Sequence, residues 1–335
     1  MLKRLVILIS VLAASLSLWV PVGLAAAKPP LGAMGLRAPI WRIRKPEVWN
    51  KRLLGKRTRV VYAKIGHLKL TFFIFRPASR AAVLRPVVVY IHGGALKFGN
   101  AMINNLKTPH NQLMVSVERN LIQHGVDFVT VNYRLAPVYR WPDALIDVKH
   151  AVKYIDSHAV RLGINASQMA VMGDSAGGEL SSFVGLTMDP RQRPVVRAVV
   201  DLFGPTNRRT FAAAWRRRHG LKPNPVYGVY TWKRARRESA VSYVTPNAPP
   251  FLIIQGTRDH VVPPAQSKLL KDRLNAAGVP VREILVHHAG HELVAKKGPI
   301  HPGIPFIAKQ IERFLYAQLD VPLSRSGEQE RRVTG

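Results

Sequence analysis

Residues 168–178, QMAVMGDSAGG, contain the most informative pattern in the chain. The first five residues, which are apolar after Gln168, predict a buried strand, and the residues from Ala176 onward predict a helix. Between them lies a G-x-S-x-G pattern formed by Gly173, Ser175 and Gly177, which is typical of a tight strand-to-helix turn that presents a nucleophilic serine. The alternative is a glycine-rich turn that binds phosphate at the helix N-terminus. We therefore treat Ser175 as a candidate nucleophile at the carboxyl edge of a sheet.

Strand and helix patterns alternate on both sides of this turn. Predicted strands cover residues 58–65, 68–75, 86–91, 126–131, 168–172, 195–203, 251–255 and 281–286. Predicted helices cover residues 109–124, 144–159, 176–188, 264–277 and 304–319. Residues 205–248 read as irregular, aromatic and basic. Strands that alternate with helices are joined by right-handed crossovers. The sequence thus predicts an α/β fold with a mainly parallel central sheet flanked by helices.

A second glycine-containing loop, His92-Gly93-Gly94-Ala95, follows the predicted strand 86–91. Glycines allow a backbone to approach a substrate oxygen closely. If Ser175 is a nucleophile, backbone N–H groups of this loop and of the residue after the serine would form its oxyanion hole. We predict Gly93, Gly94 and Ala176 as the donors, and His92 as a residue that orders the loop.

An acid and a base follow the serine in chain order. Asp259 comes just after the predicted strand 251–255, and His291 follows the last predicted strand by a short loop. A carboxylate would orient the imidazole, which would then act as the general base. Asp201 competes for the first role, and His287 and His288 compete for the second. We predict Asp259 and His291.

These motifs together resemble one superfamily. In order they are residues 92–95 (HGGA), 131–137 (VNYRLAP), 141–148 (WPDALIDV), 173–178 (GDSAGG), 248–254 (APPFLII), 256–259 (GTRD), 262–267 (VPPAQS) and 289–291 (AGH). Over residues 58–320 the chain resembles the hormone-sensitive-lipase-like and feruloyl-esterase-like branches of the α/β-hydrolase superfamily. The resemblance implies hydrolysis of carboxylic esters through an acyl-enzyme, without a metal or an organic cofactor. It implies a catalytic triad of Ser175, Asp259 and His291. It also implies an oxyanion hole formed by Gly93, Gly94 and Ala176.

Two other functions stay open at this point. One is a serine peptidase of the same superfamily. The other is a non-catalytic protein that binds an anionic polymer or membrane. Glu179, just after the serine turn, departs from the small or histidine residue often seen there. We expect it to be buried against a basic partner and assign it no role.

The chain divides into several predicted segments. Residues 1–27 combine two basic residues, an uncharged apolar run and a small-residue exit, which is the pattern of a signal peptide. Residues 28–57 are predicted as an N-terminal extension, 58–320 as the catalytic domain and 321–335 as a disordered tail. Within the domain, 205–240 is predicted as an insertion that lines the pocket. We expect an exported protein, periplasmic or extracellular, in a bacterium.

Charge and cysteine content constrain the partners. Fifty Lys and Arg against 19 Asp and Glu give a formal charge of +31, and the chain has no cysteine, which excludes metal sites built on thiolate. Basic side chains cluster at residues 215–218 and 233–237, but no motif of a nucleic-acid-binding module is present. We therefore expect no specific nucleic-acid partner, and electrostatic contact with an anionic membrane or polymer. The oligomeric state stays open.

Overall fold

The fold is described from a computed structural model, which covers residues 57–77, 83–102, 107–188, 195–219 and 224–322. For residues 214–219 only the backbone is described. The predicted signal peptide, residues 28–56 of the extension and residues 323–335 of the tail lie outside these ranges. Within them, no helix is long and apolar enough to cross a membrane.

Eight strands form a single sheet. Their bounds are β1 Arg57–Ile65, β2 Leu68–Phe75, β3 Arg85–Ile91, β4 Asp127–Val131, β5 Ile164–Asp174, β6 Ala198–Leu202, β7 Phe251–Gly256 and β8 Val281–Val286. The spatial order is β1-β2-β4-β3-β5-β6-β7-β8. β1 and β2 form an antiparallel hairpin, β2 is antiparallel to β4, and every pairing from β4 through β3 to β8 is parallel. The predicted α/β fold with a mainly parallel sheet is therefore confirmed.

Helices connect the strands and cover both faces of the sheet. Within the described ranges they are α1 Pro109–Gln123, α2 Asp143–Ser157, α3 Ala159–Leu162, α4 Ala176–Thr187, α5 Arg208–His219, α6 Trp232–Arg237, α7 Ala265–Ala276 and α8 Ile304–Gln318. Short 3-10 turns lie at Ala240–Tyr243 and His291–Leu293. Buried side chains of α1 and α8 pack on one face, and those of α2, α4 and α7 pack on the other.

Strand β3 illustrates how a continuous apolar run serves two cores. Val87 and Val89 point into the core shared with α2 and α4, while Val88 and Tyr90 point into the core shared with α1 and α8. Successive side chains of a strand face opposite sides of the sheet, so a strand covered on both sides needs apolar residues at every position. The run 86–91 thus places the loop that follows it between two packed layers.

The segment predicted as irregular is the main difference from expectation. Residues 205–248 contain α5 and α6, both missed from the sequence. Each helix begins at a side-chain cap: Asn207 Oδ1 accepts N–H bonds from Arg209 and Thr210, and Thr231 Oγ1 accepts one from Arg234. Asn and Thr caps were the available signal. It was obscured because both helices are basic and lack a regular apolar stripe.

Candidate active site

Ser175 lies at a strained turn between β5 and α4. Its backbone has φ 50° and ψ −117°, a conformation that a non-glycine residue adopts only under constraint from its surroundings. A Cβ on Gly177 would lie 1.9 Å from the carbonyl oxygen of Ile91, and a Cβ on Gly173 would lie 2.3 Å from the oxygen of Gly177. The two glycines are therefore required by close packing of the turn against β3. The turn holds the serine side chain above the carboxyl edge of the sheet.

Three side chains from three strand ends form a continuous hydrogen-bonded series. His291 Nε2 lies 3.0 Å from Ser175 Oγ, and His291 Nδ1 lies 2.7 Å from Asp259 Oδ2. A carboxylate can only accept, so Nδ1 carries the proton and Nε2 presents its lone pair to the serine hydroxyl. The ring of Phe203 packs edge-on against the imidazole at 5.1 Å between ring centres. The structure thus brings together the three residues predicted as the triad.

The carboxylate of Asp259 is held from both sides. The side chain is buried, and Oδ1 accepts backbone N–H bonds from Val261 at 2.8 Å and Val262 at 2.9 Å. These two bonds leave Oδ2 directed at the imidazole of His291. Hydrogen bonds to a buried carboxylate compensate part of its lost hydration. The loop after β7 therefore fixes the orientation of the acid without using a second charged side chain.

The rival residues have other partners. Asp201 is buried at the end of β6, where it accepts hydrogen bonds from Ser182 Oγ at 2.9 Å and from the Gly204 backbone at 2.8 Å. Burial raises the pKa of Asp201 to about 6. His287 pairs with His301 through backbone hydrogen bonds. Neither residue contacts the serine in the described structure, which favours Asp259 and His291.

His92 is part of the loop scaffold. Its ring stacks on Tyr133 at 4.3 Å between centres, and its Nδ1 lies 2.7 Å from the Gly93 carbonyl oxygen. Burial lowers its pKa, so the neutral form is favoured and Nδ1–H donates to that carbonyl. This geometry agrees with the predicted loop-ordering role.

The N–H of Gly93 is not directed at the serine. It donates to Asp174 Oδ1 at 2.9 Å, and that carboxylate also accepts a 2.6 Å bond from Tyr90 Oη. Burial disfavours ionisation of Asp174, but neighbouring His110, Tyr90 and His92 outweigh it and lower the pKa below its ordinary value. The prediction of Gly93 as an oxyanion donor is therefore wrong. Glycine is needed at position 93 for another reason: a Cβ there would lie 2.3 Å from Asp174 Oδ2.

The next residues of this loop reach the space above the serine. Gly94, Ala95 and Leu96 all have positive φ, at 105°, 54° and 57°. Ala95 lines the same cavity as Ser175 and Ala176. The donors predicted at Gly94 and Ala176 stay predictions, and Ala95 is a position that sequence reasoning missed. The run of left-handed backbone that turns Ala95 toward the cavity has no signal in the sequence HGGA.

The cavity above the serine has a volume of about 330 Å³. Its walls are mostly apolar and come from the loop after β3, from residues 205–211 and 224–227, and from the loop after β7. The apolar lining residues are Ala95, Leu96, Phe98, Ala176, Pro205, Phe211, Pro225, Val226, Val261 and Val262. Polar side chains also border it, among them Glu179 and Tyr227.

Glu179 lies one helical turn after the serine and is buried. Tyr227 Oη donates to Glu179 Oε2 at 2.6 Å, and the Arg208 guanidinium stacks over the Tyr227 ring at 3.9 Å. Burial raises the pKa of Glu179 to about 8, although Tyr227 and Arg208 favour the charged form. The direct partner is therefore a hydroxyl rather than the basic side chain that we expected, and the carboxyl is protonated at neutral pH.

Among the described residues, no group of three or more His, Asp and Glu side chains could hold a metal ion. The hydrogen-bonded series Ser175–His291–Asp259 needs none, because its parts are a nucleophile, a base and an orienting acid. The arrangement is suited to acyl transfer.

Comparison with known proteins finds relatives that are named as esterases. The sequence is 31% identical over 246 residues to Esterase LipC of Mycobacterium tuberculosis, and 29% identical over 242 residues to the probable carboxylic ester hydrolase LipM of the same organism. The matched regions cover 68% and 64% of this chain but only 59% and 49% of those relatives. The chain therefore spans about half of the length of the curated relatives it matches.

Solved structures share the fold. A truncated carbohydrate esterase from gut microbiota matches with a TM-score of 0.63 and 24% identity, covering 81% of this chain and 99% of that one. Esterase 2 of Thermogutta terrifontis matches with a TM-score of 0.62 and 19% identity, covering 80% and 94%. The sequence model of the BD-FAE family matches residues 73–274, which is more than half of the chain. This chain therefore belongs to the BD-FAE family and has the α/β-hydrolase fold.

Proposed function

We propose that this chain is a serine esterase that hydrolyses carboxylic esters through an acyl-enzyme. The observation that carries the proposal is the series Ser175 Oγ–His291 Nε2 at 3.0 Å and His291 Nδ1–Asp259 Oδ2 at 2.7 Å, with Ser175 lining an apolar cavity. The names of its relatives, which are esterases and a carboxylic ester hydrolase, support the same reaction.

Acylation begins when His291 Nε2 accepts the proton of Ser175 and Oγ attacks the ester carbonyl carbon. The carbonyl π electrons move to oxygen, and the tetrahedral intermediate carries one negative charge. We assign the stabilising donors to the Ala176 N–H, at the N-terminus of α4, and to N–H groups at Gly94 and Ala95. Backbone donors fixed before reaction cost no reorganisation as charge develops.

The intermediate collapses when the bond to the alcohol oxygen breaks and His291 returns the proton to the leaving alcohol. Water then enters, gives a proton to the same imidazole and attacks the acyl carbon. The bond between Oγ and the acyl carbon then breaks, His291 returns the proton to Oγ, and release of the acid restores Ser175. Asp259 stays ionised throughout and stabilises the imidazolium formed in each half-reaction.

Small substrates fit the cavity best. Its volume of about 330 Å³ is near the lower end of the range of about 300–1,000 Å³ for small-molecule sites. Apolar walls favour the binding of uncharged esters over the binding of charged carboxylic acids. We therefore expect short and medium acyl chains to be turned over faster than long ones.

The test is hydrolysis of p-nitrophenyl acetate, butyrate, octanoate and laurate by the wild type and by Ser175→Ala. We expect kcat/KM to peak at short or medium chains and turnover to fall to the background rate in the variant. Turnover that survives Ser175→Ala would refute the assignment of the nucleophile. A peptide p-nitroanilide cleaved faster than every ester would favour a peptidase instead.

An organophosphate gives an independent readout. Paraoxon should phosphorylate Ser175 with release of one p-nitrophenolate per active site, and peptide mass spectrometry should locate the adduct. A related structure, that of Thermogutta terrifontis esterase 2, is described as phosphorylated by paraoxon. Absence of an adduct at Ser175 in folded protein would contradict the proposal even if some ester hydrolysis were measured.

We also propose that residues 1–27 direct export and are removed. The support is the sequence of this segment: basic start, uncharged apolar run, and Ala25-Ala26-Ala27 at the exit. Fractionation of bacterial cells followed by N-terminal sequencing should find a mature chain that starts at Lys28. A chain retained in the cytoplasm with residues 1–27 intact would contradict this.

A further inference from the structure

A second cavity, of about 480 Å³, lies outside the site described above and shares no lining residue with it. Three α-helices and the 3-10 turn Ala240–Tyr243 contribute to its walls. Asn207 and Arg209 come from the start of α5, Trp232 and Arg236 come from α6, and Arg273 comes from the last turn of α7. Residues distant in sequence thus converge on one concave surface.

The side chains that line this cavity carry positive charge only. Its lining contains three arginines and no Asp or Glu. Within the described ranges, none of the guanidinium groups of Arg209, Arg236 and Arg273 forms an ion pair. All three arginines are exposed, so water and salt screen the repulsion between their guanidinium groups, and an anion between them would reduce it further.

The carboxylates nearest in sequence are already engaged. Glu238 is buried and pairs with Arg234 at 3.2 Å. Asp272, next to Arg273 on α7, pairs with Lys268 at 2.6 Å. The positive charge of the cavity is therefore not neutralised by these neighbours, and the fold leaves room for an external anion.

One wall of the cavity is an exposed aromatic ring. Trp232 is 57% exposed, and the Arg209 guanidinium lies 5.4 Å from its ring centre. Stacking on an aromatic face limits the motion of a guanidinium while its N–H groups stay available, which favours bidentate binding of an oxyanion. Arg209 also lies in the first turn of α5, where the helix dipole favours negative charge.

From this geometry we infer that the cavity bordered by Arg209, Arg236 and Arg273 binds a phosphate monoester. A monoester carries a charge of about −1.5 to −2 at pH 7 and presents three acceptor oxygens, which matches several guanidinium groups better than one carboxylate does. Trp232 would cover an apolar or sugar face of the group that bears the phosphate. The basic cluster 233–237, which the esterase site does not use, lies in the same segment.

Isothermal titration calorimetry of the chain with phenyl phosphate tests this site. The variant Arg209→Gln/Arg236→Gln should bind at least tenfold more weakly than the wild type. The matched control Arg140→Gln/Arg313→Gln removes two exposed charges that do not line the cavity, and it should bind like the wild type. Arg273→Gln, on a different helix, keeps the test valid if the double variant misfolds, as judged by thermal unfolding.

The source of the phosphate is distinguished by two further titrations. Soluble inorganic phosphate is compared with vesicles of phosphatidylcholine that contain either phosphatidic acid or phosphatidylglycerol. Phosphatidic acid preferred over phosphatidylglycerol identifies a lipid headgroup, and tight binding of the soluble ions identifies a free ligand. Equal losses in the cavity and control variants, or no saturable binding of any of these probes, would overturn the proposal.

Discussion

Replacing Glu179 with glutamine removes a buried ionisable group and keeps the shape of the side chain. Glu179 is 3% exposed, and its Oε2 accepts the hydroxyl of Tyr227 at 2.6 Å. The amide oxygen of glutamine can accept the same bond. The variant therefore isolates the free-energy cost of placing a carboxyl group in this wall of the cavity.

The sign follows from the raised pKa. Burial shifts the pKa of Glu179 from its ordinary value of 4.5 to about 8. Below pH 4.5 both the native and the unfolded chain hold the proton, and no penalty exists. Between pH 4.5 and 8 the unfolded chain loses its proton while the native chain keeps it, so the wild type loses about 1.4 kcal/mol of stability per pH unit through this group. Over this interval the loss approaches about 5 kcal/mol.

Urea unfolding of the wild type and Glu179→Gln at pH 5, 6, 7 and 8 measures the effect. The free energy of unfolding of the variant should exceed that of the wild type by an amount that grows at each step. As a control, Asp272→Asn removes an exposed pair with Lys268 and should leave the free energy of unfolding nearly unchanged at each pH. A variant less stable than the wild type throughout would mean that Glu179 is ionised and held by Arg208, which would contradict a raised pKa.

Three further substitutions test the site and its support. Asp259→Asn should favour the wrong imidazole tautomer and lower kcat for p-nitrophenyl butyrate by about 10⁴-fold, and a loss below tenfold would contradict its role. Gly177→Ala would place a Cβ 1.9 Å from the Ile91 carbonyl oxygen. It should cost about 3 kcal/mol or more in urea unfolding, or prevent folding, whereas a stable variant would show that the turn can relax. Arg134→Met leaves buried Asp147 without the guanidinium that binds both its oxygens. The expected loss of unfolding free energy is about 3–5 kcal/mol, and an unchanged midpoint would show that the pair contributes little.

The residues brought together at the serine could be predicted because topology places them. In a parallel sheet the loops after all strands leave at the same edge, so Ser175 after β5, Asp259 after β7 and His291 after β8 had to come close. Glycine spacing around Ser175 added a local reason for the tight turn. Neither inference needed the conformation of a long loop.

The donors and the cavity walls could not be predicted in the same way. The Gly93 N–H does not face a substrate because it donates a hydrogen bond to Asp174, which lies 81 positions later in the chain. The direction of Ala95 depends on three consecutive residues with positive φ, two of which are not glycine. Such a loop is held by its tertiary surroundings rather than by local preference, so its N–H directions are not encoded in a short motif.

For Glu179 the sequence predicted the burial of the side chain but not its hydrogen-bond partner. Its place one turn after the serine, in a helix packed against the sheet, was enough to expect burial. Its partner, Tyr227, comes from a segment 48 positions later whose helices were missed. Burial favours the neutral carboxyl, whereas the Tyr227 hydroxyl and the Arg208 guanidinium favour the charged form, so the chemistry of this wall depends on burial outweighing both partners. The cavity then offers a neutral hydrogen-bonding carboxyl group near the nucleophile, which is compatible with uncharged ester substrates.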